Sequence, residues 1–163
     1  MGYHPKDLQF CPDIDTPMIV RKPRLLLDPY EWLPPHGESG VTYSSDGLNV
    51  TLTITYENNN GQPAARTLVF RQVCAFYHAL FPGPSLLAME YEEGDNSVPV
   101  SSLVEFLESP QAQQWTHHLE YLESTVRHFR ICFLAENMRF DILALAYELT
   151  EEVALDAIAK RNQ

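Results

Sequence analysis

The chain reads as an α+β domain, a mainly antiparallel sheet with one or two packed helices and a Pro-rich N-terminal arm. Three observations predict it. Leu48, Val50, Leu52, Ile54 and Tyr56 alternate with Asn49, Thr51, Thr53 and Thr55, the period-2 pattern of a half-buried strand. Two apolar stretches, residues 128–134 and 140–147, flank the polar segment 135–139, the pattern of two strands joined by a tight turn. Ser109-Pro110 precedes Trp115, Leu119 and Leu122, a helix start followed by an i, i+4, i+7 apolar stripe. At 163 residues and 45% hydrophobic, the chain fits a single domain spanning 1–163.

Residues 1–46 hold seven of the twelve prolines, which argues against long helices and for extended or turning backbone. They are predicted to form an arm packed on the body, anchored by the apolar runs 18–20 and 25–27 and by Tyr30-Glu31-Trp32-Leu33. The sheet and helix core is expected over 48–149. Ser44-Ser45-Asp46-Gly47 reads as a turn into the first strand. The cluster 57–63, with Asn58, Asn59, Asn60 and Gly61, supplies residues that tolerate positive φ and joins that strand to Arg66-Thr67-Leu68-Val69-Phe70-Arg71 as a hairpin, its arginines solvated. Residues 72–81 fit helix and strand alike, and Pro82-Gly83-Pro84 ends them. Residues 86–91 read as a further strand and 92–97 as an acidic turn. The helix from Pro110 comes next, then the two C-terminal strands. Residues 150–163 suggest a terminal helix, with Glu151 and Glu152 at its positive end and Lys160 and Arg161 at its negative end.

The formal net charge is −11. Such a chain is repelled by nucleic acid and by anionic membranes, so neither is an expected partner, whereas a basic protein is. The excess is local. Residues 1–71 carry 6 Lys/Arg against 8 Asp/Glu and residues 128–163 carry 4 against 6, but residues 72–127 carry only Arg127 against eight acids. Those acids are Glu90, Glu92, Glu93, Asp95, Glu105, Glu108, Glu120 and Glu123. With Tyr91 and Tyr121 beside them, they have the composition of a docking face that anchors with rings and orients with charge. Acids that merely keep a small protein soluble are the plainer account of the same residues.

Chemistry-bearing motifs are sparse. His117 and Glu120 share a helix face and His128 follows, but the spacing is not that of a zinc-protease helix, so no metal site is expected. A nucleophile elbow and a phosphate-binding glycine loop are both missing, and no catalytic residue or cofactor is assigned. Cys11, Cys74 and Cys132 are odd in number and widely spaced, which disfavours a disulfide framework. No run approaches the ~18 apolar residues of a membrane span, and the first ten residues lack the features of a signal peptide. A cytoplasmic location is the expectation.

A polar-looped hairpin (48–56 and 66–70), a strand, a Ser-Pro helix start and the closing pair 128–133 and 140–144 with Tyr147-Glu148-Leu149 follow one another in that order. This order resembles the small cytoplasmic immunity proteins that accompany bacterial polymorphic and contact-dependent toxins, over residues 48–149. The resemblance implies a protein that binds and blocks a partner toxin, often a basic nuclease, without catalysis of its own. Three other readings remain open. A phage-borne inhibitor that mimics nucleic acid would space its acids along a ridge. A structural or assembly subunit would self-associate through an apolar patch. A small enzyme would need a concave pocket with perturbed carboxylates or histidines.

Overall fold

The computed structural model describes residues 23–81, 83 and 99–155. Eight strands form one sheet, antiparallel at every pairing: β1 (Pro23–Leu27), β2 (Gly40–Ser45), β3 (Val50–Glu57), β4 (Pro63–Leu80), β5 (Leu103–Phe106), β6 (Arg127–Phe133), β7 (Met138–Leu149) and β8 (Val153–Ala154). Their order is β1-β5-β6-β7-β4-β3-β2, with β8 beside β4. Two helices, α1 (Pro29–Trp32) and α2 (Pro110–His118), and a 3-10 turn at Glu120–Leu122 complete the described elements. The α+β class follows, with an antiparallel sheet dominant.

The β2–β3–β4 meander forms where the alternation places it. Val50, Leu52, Ile54 and Tyr56 are buried while the intervening threonines are half-buried. The β2–β3 turn is built by Asp46, whose carboxylate accepts from the Leu48 and Asn49 amides at 2.9 and 2.6 Å. The Asn49 side chain, then these two amides, draw the Asp46 pKa down to about 2. Gly47 supplies the φ of +87° that the turn requires. In the β3–β4 loop the Asn58 side chain accepts from the Asn60 and Gln62 amides, and Gly61 adopts φ +71°.

Three sequence expectations are corrected. Residues 23–45 are not an arm laid over the sheet: β1 and β2 are the two ends of its strand order and α1 lies between them in the chain. Prolines suit such positions because an edge strand leaves one row of N–H groups unpaired. Val153–Ala154 extend the sheet against Ala64 and Ala65, so the terminal helix expected from residue 150 starts no earlier than Leu155, which is helical. The ordered helix ends at His118, so Leu119 is its cap and Leu122 lies in the 3-10 turn. The ambiguous run 72–81 resolves as strand through Leu80. The expected strand at 86–91, the acidic turn after it, Cys11, residues 1–22 and residues 156–163 lie outside the described residues.

The sheet is strongly curled. Tyr43 of β2 and Phe140 of β7 are separated by β3 and β4 in the strand order, about 14 Å in a flat sheet at ~4.8 Å per strand. Their ring centroids are 5.6 Å apart. The bend is placed in β4, where Gln72 has φ +51° and the register with β7 shifts between Val73 and Ala75, the signature of a β-bulge. Inside the curl lies the main core, with Leu52, Ile54, Leu68, Phe70, Phe129, Ile131, Phe133, Phe140 and Ile142, covered by Trp32 and Leu33. Each such side chain contributes about 1.5–3 kcal/mol by leaving water. The opposite face is covered by α2, whose Ala112, Trp115 and Leu119 pack with Val126, Leu143 and Leu145.

Candidate functional site

α2 starts as its sequence dictates. Ser109 is the N-cap, its hydroxyl accepting from the Ala112 amide at 3.3 Å, and Pro110 occupies the first turn. Between α2, the end of β5 and the segment leading into β6 opens a cleft of ≈ 680 Å³. Phe106, Leu107, Ala112 and Val126 give it apolar walls, and His117, Glu120, Glu123 and Arg127 are among its polar lining.

This cleft gathers part of the predicted docking face. Glu120 and Glu123 line it and are exposed. Tyr121, between them in the chain, is 73% exposed, and Glu108, between the lining residues Leu107 and Ser109, is exposed as well. Glu123 holds φ +52° at the end of the 3-10 turn, so the backbone reverses there and returns toward β6. Glu90, Tyr91, Glu92, Glu93 and Asp95 lie outside the described residues.

Glu105 has a different place. It is buried, ion-paired to Arg24 and held by Arg127 through two hydrogen bonds of 2.8 Å. The Arg127 bonds outweigh burial, with Arg24 adding to them, and lower the Glu105 pKa. Its charge is thus satisfied within the fold, and it braces the floor of the cleft rather than facing a partner.

Behind α2 lies a buried polar network that sequence reasoning did not assemble. Asp141 of β7 accepts from Arg130 Nε at 2.7 Å and from His128 Nε2 at 3.2 Å, and Arg139 Nε stands 3.2 Å from its other oxygen. His128 Nδ1 is 2.8 Å from the Ser109 hydroxyl. Arg130 lies over the Phe106 ring at 5.1 Å. Burial alone would raise the Asp141 pKa, but the His128 hydrogen bond and the Arg130 charge prevail and hold it below the usual carboxylate range.

The Ser109–His128–Asp141 line has the composition of a hydrolytic triad but not its exposure. Ser109 is 1% exposed and its oxygen caps a helix, whereas a nucleophile must reach substrate beside oxyanion donors. The trio ties the start of α2 to β6 and β7. His117 pairs with Glu120 at 3.5 Å on the surface, remote in environment from buried His128. Among the described residues, no group of three or more His, Cys, Asp and Glu is placed to hold a metal ion.

Both buried carboxylates contribute to the acid limb of stability. Their pKa values are lowered on folding, so the stability they supply is complete above the ordinary carboxylate range and is lost as pH falls through their folded values. Urea midpoints are expected to be level near neutrality and to decline below about pH 5. A midpoint that rises on acidification would contradict the charged state of the network.

The fold of the described residues defines an antiparallel α+β protein with a curled sheet and an acid-rimmed cleft beside α2. No known protein family, curated protein or solved structure matches the chain. No helix among the described residues is long and apolar enough to cross a membrane.

Proposed function

We propose that this is an acidic binding protein without catalysis of its own, which engages a basic partner protein and, like the immunity proteins its sequence resembles, neutralises a toxin by occupying its cationic surface. One observation carries the reading: Glu120 and Glu123 are exposed and line an apolar-walled cleft, with Glu108 and Tyr121 exposed beside lining residues in the chain, while the neighbouring Glu105 is neutralised internally. Exposed acids speed encounter with a basic surface, and an aromatic side chain beside an apolar recess slows dissociation. The cytoplasm is the proposed location.

The test is capture from host lysate with tagged wild type and with the variant Glu108→Ser/Glu120→Ser/Glu123→Ser. Wild type should retain one basic protein in near-equal amount at low salt and lose it at high salt. The variant should fold normally and bind at least about tenfold more weakly, each rim charge contributing a fraction of the total. Equal retention by both proteins would remove this cleft from the reading.

A further inference from the structure

The cleft beside α2 is bounded by residues that all fall between Glu105 and Arg127, and its shape limits what can enter it. The lining residues Ser109, Ala112, Thr116 and Glu120 recur every three or four positions, so one face of the helix forms a wall along its whole length. From Ser109 to Glu120 that wall is about 16 Å long at ~1.5 Å per residue. A volume of ≈ 680 Å³ spread over that length leaves a mean section of roughly 40 Å², about 6–7 Å across. A helix with its side chains is about 10–12 Å across and does not fit. One extended chain, ~4.8 Å wide in the plane of its backbone, does, and about five of its residues span the wall at ~3.3 Å each.

The chemistry of the cleft is graded along this length. Toward the start of α2 the surface is apolar, given by Phe106, Leu107 and Ala112, with Val126 held level with Thr116 by its amide, which donates to the Thr116 hydroxyl at 2.9 Å. Leu107 is 56% exposed, so this apolar surface is offered to solvent. Toward the end of α2 stand the exposed Glu120 and Glu123, where the last helical carbonyls add negative potential. Arg127 does not offset them, because it is committed to Glu105 by two hydrogen bonds. The 3.5 Å contact of His117 with Glu120 is exposed on both sides, a pair weak enough for a cation to replace.

Resting on the basic-partner reading and sharpening it, we infer that the cleft seats an extended segment of the partner in which an apolar side chain and a Lys or Arg lie four residues apart. Ala112 and Glu120 are about 12 Å apart along the helix, and four residues of extended chain cover about 13 Å. Positions i and i+4 of a strand share a face, so both side chains enter the cleft together. The apolar one covers Leu107, Ala112 and Val126, and the cation meets Glu120 and Glu123. Charge complementarity selects the cation, and the exposed Leu107 selects its apolar companion.

Short acetylated and amidated peptides carrying Leu and Arg in a Thr/Ser background, titrated into the full chain and followed by amide NMR shifts, test the inference. The peptide with Leu and Arg four residues apart should bind with a Kd on the order of 0.1–1 mM, shift amides within residues 107–127, and weaken as salt rises. The same composition with Leu and Arg adjacent sends the two side chains to opposite faces and should bind about fivefold more weakly or worse. Glu120→Gln/Glu123→Gln should weaken the spaced peptide by a similar factor with unchanged spectral dispersion, because both side chains are exposed. Transferred NOEs in the bound peptide should be those of extended backbone. Equal affinity of the two peptides, shifts confined to other parts of the chain, helical NOEs, or no binding up to about 10 mM would overturn the inference. Its failure is distinct from failure of the basic-partner reading: peptides that do not bind, beside a captured protein whose retention still needs the rim acids, would remove only the extended segment. Capture of no basic protein, beside spacing-dependent peptide binding, would remove the toxin and leave the segment.

Discussion

Asp141→Asn is expected to lower the unfolding free energy by about 3–5 kcal/mol, the usual cost of removing one partner from a buried ion pair. The amide has the carboxylate's shape but not its charge, so the Arg130 guanidinium, 1% exposed, and that of Arg139 face a neutral group, and His128 loses its anionic acceptor. A urea titration at pH 7 should show a lower midpoint with unchanged slope. The variant should also show a flatter acid limb, because one of the two buried carboxylates with a depressed pKa is gone. A loss under about 1 kcal/mol would mean that water reaches the network and solvates the arginines, as at exposed pairs.

Phe140→Ala is expected to cost a similar amount, about 3–5 kcal/mol, through lost transfer energy and the cavity left behind. Phe140 is fully buried, and its ring lies against those of Tyr43, Phe76, His78 and Phe133. It therefore holds β2 against β7 across the curl, where no backbone hydrogen bond joins the two strands. Thermal unfolding should fall by roughly 10–20 °C for a chain of this size. A small loss would show that the curled sheet can close over the vacancy.

Much of the sheet was legible because its strands carry either a period-2 pattern or a short apolar run bounded by turn residues. β3 and the first part of β4 announce themselves by alternation, β6 and β7 by apolar runs on either side of a polar turn, and Ser109-Pro110 marks α2 through local chemistry that needs no tertiary context. β1 and β2 were hidden for the opposite reason. Pro23 opening β1 and the polar residues of β2 are tolerated because these strands end the sheet, and position in a sheet is a tertiary property. Residues 72–81 gave no period because the bulge at Gln72 changes which side chains face inward.

The buried network was obscured by a different rule. His128, Arg130 and Asp141 alternate with Phe129, Ile131 and Ile142, so they read as the wet face of an antiparallel sheet. Their faces also carry Cys132, Leu143 and Leu145, a hint that this side too is covered. Two-sided burial forces the charged groups to find one another. The docking face was legible only as composition: of the acids lining the cleft, the structure separates Glu105, buried and neutralised by arginines, from Glu120 and Glu123, which are exposed, as is Glu108 nearby in the chain.

The pairing of β4 with β7 carries a kinetic consequence. β2, β3 and β4 are joined by short turns, as are β6 and β7, so each group can form by local closure in microseconds. The ladder that unites them runs from Leu68 with Leu149 to Leu80 with Met138, residues far apart in the chain, and no ordered strand can recruit the other half until that long loop closes. Folding should therefore be limited by one late event, the meeting of two preformed meanders along β4, and until then β7 would present its own unsatisfied edge to every other molecule in solution.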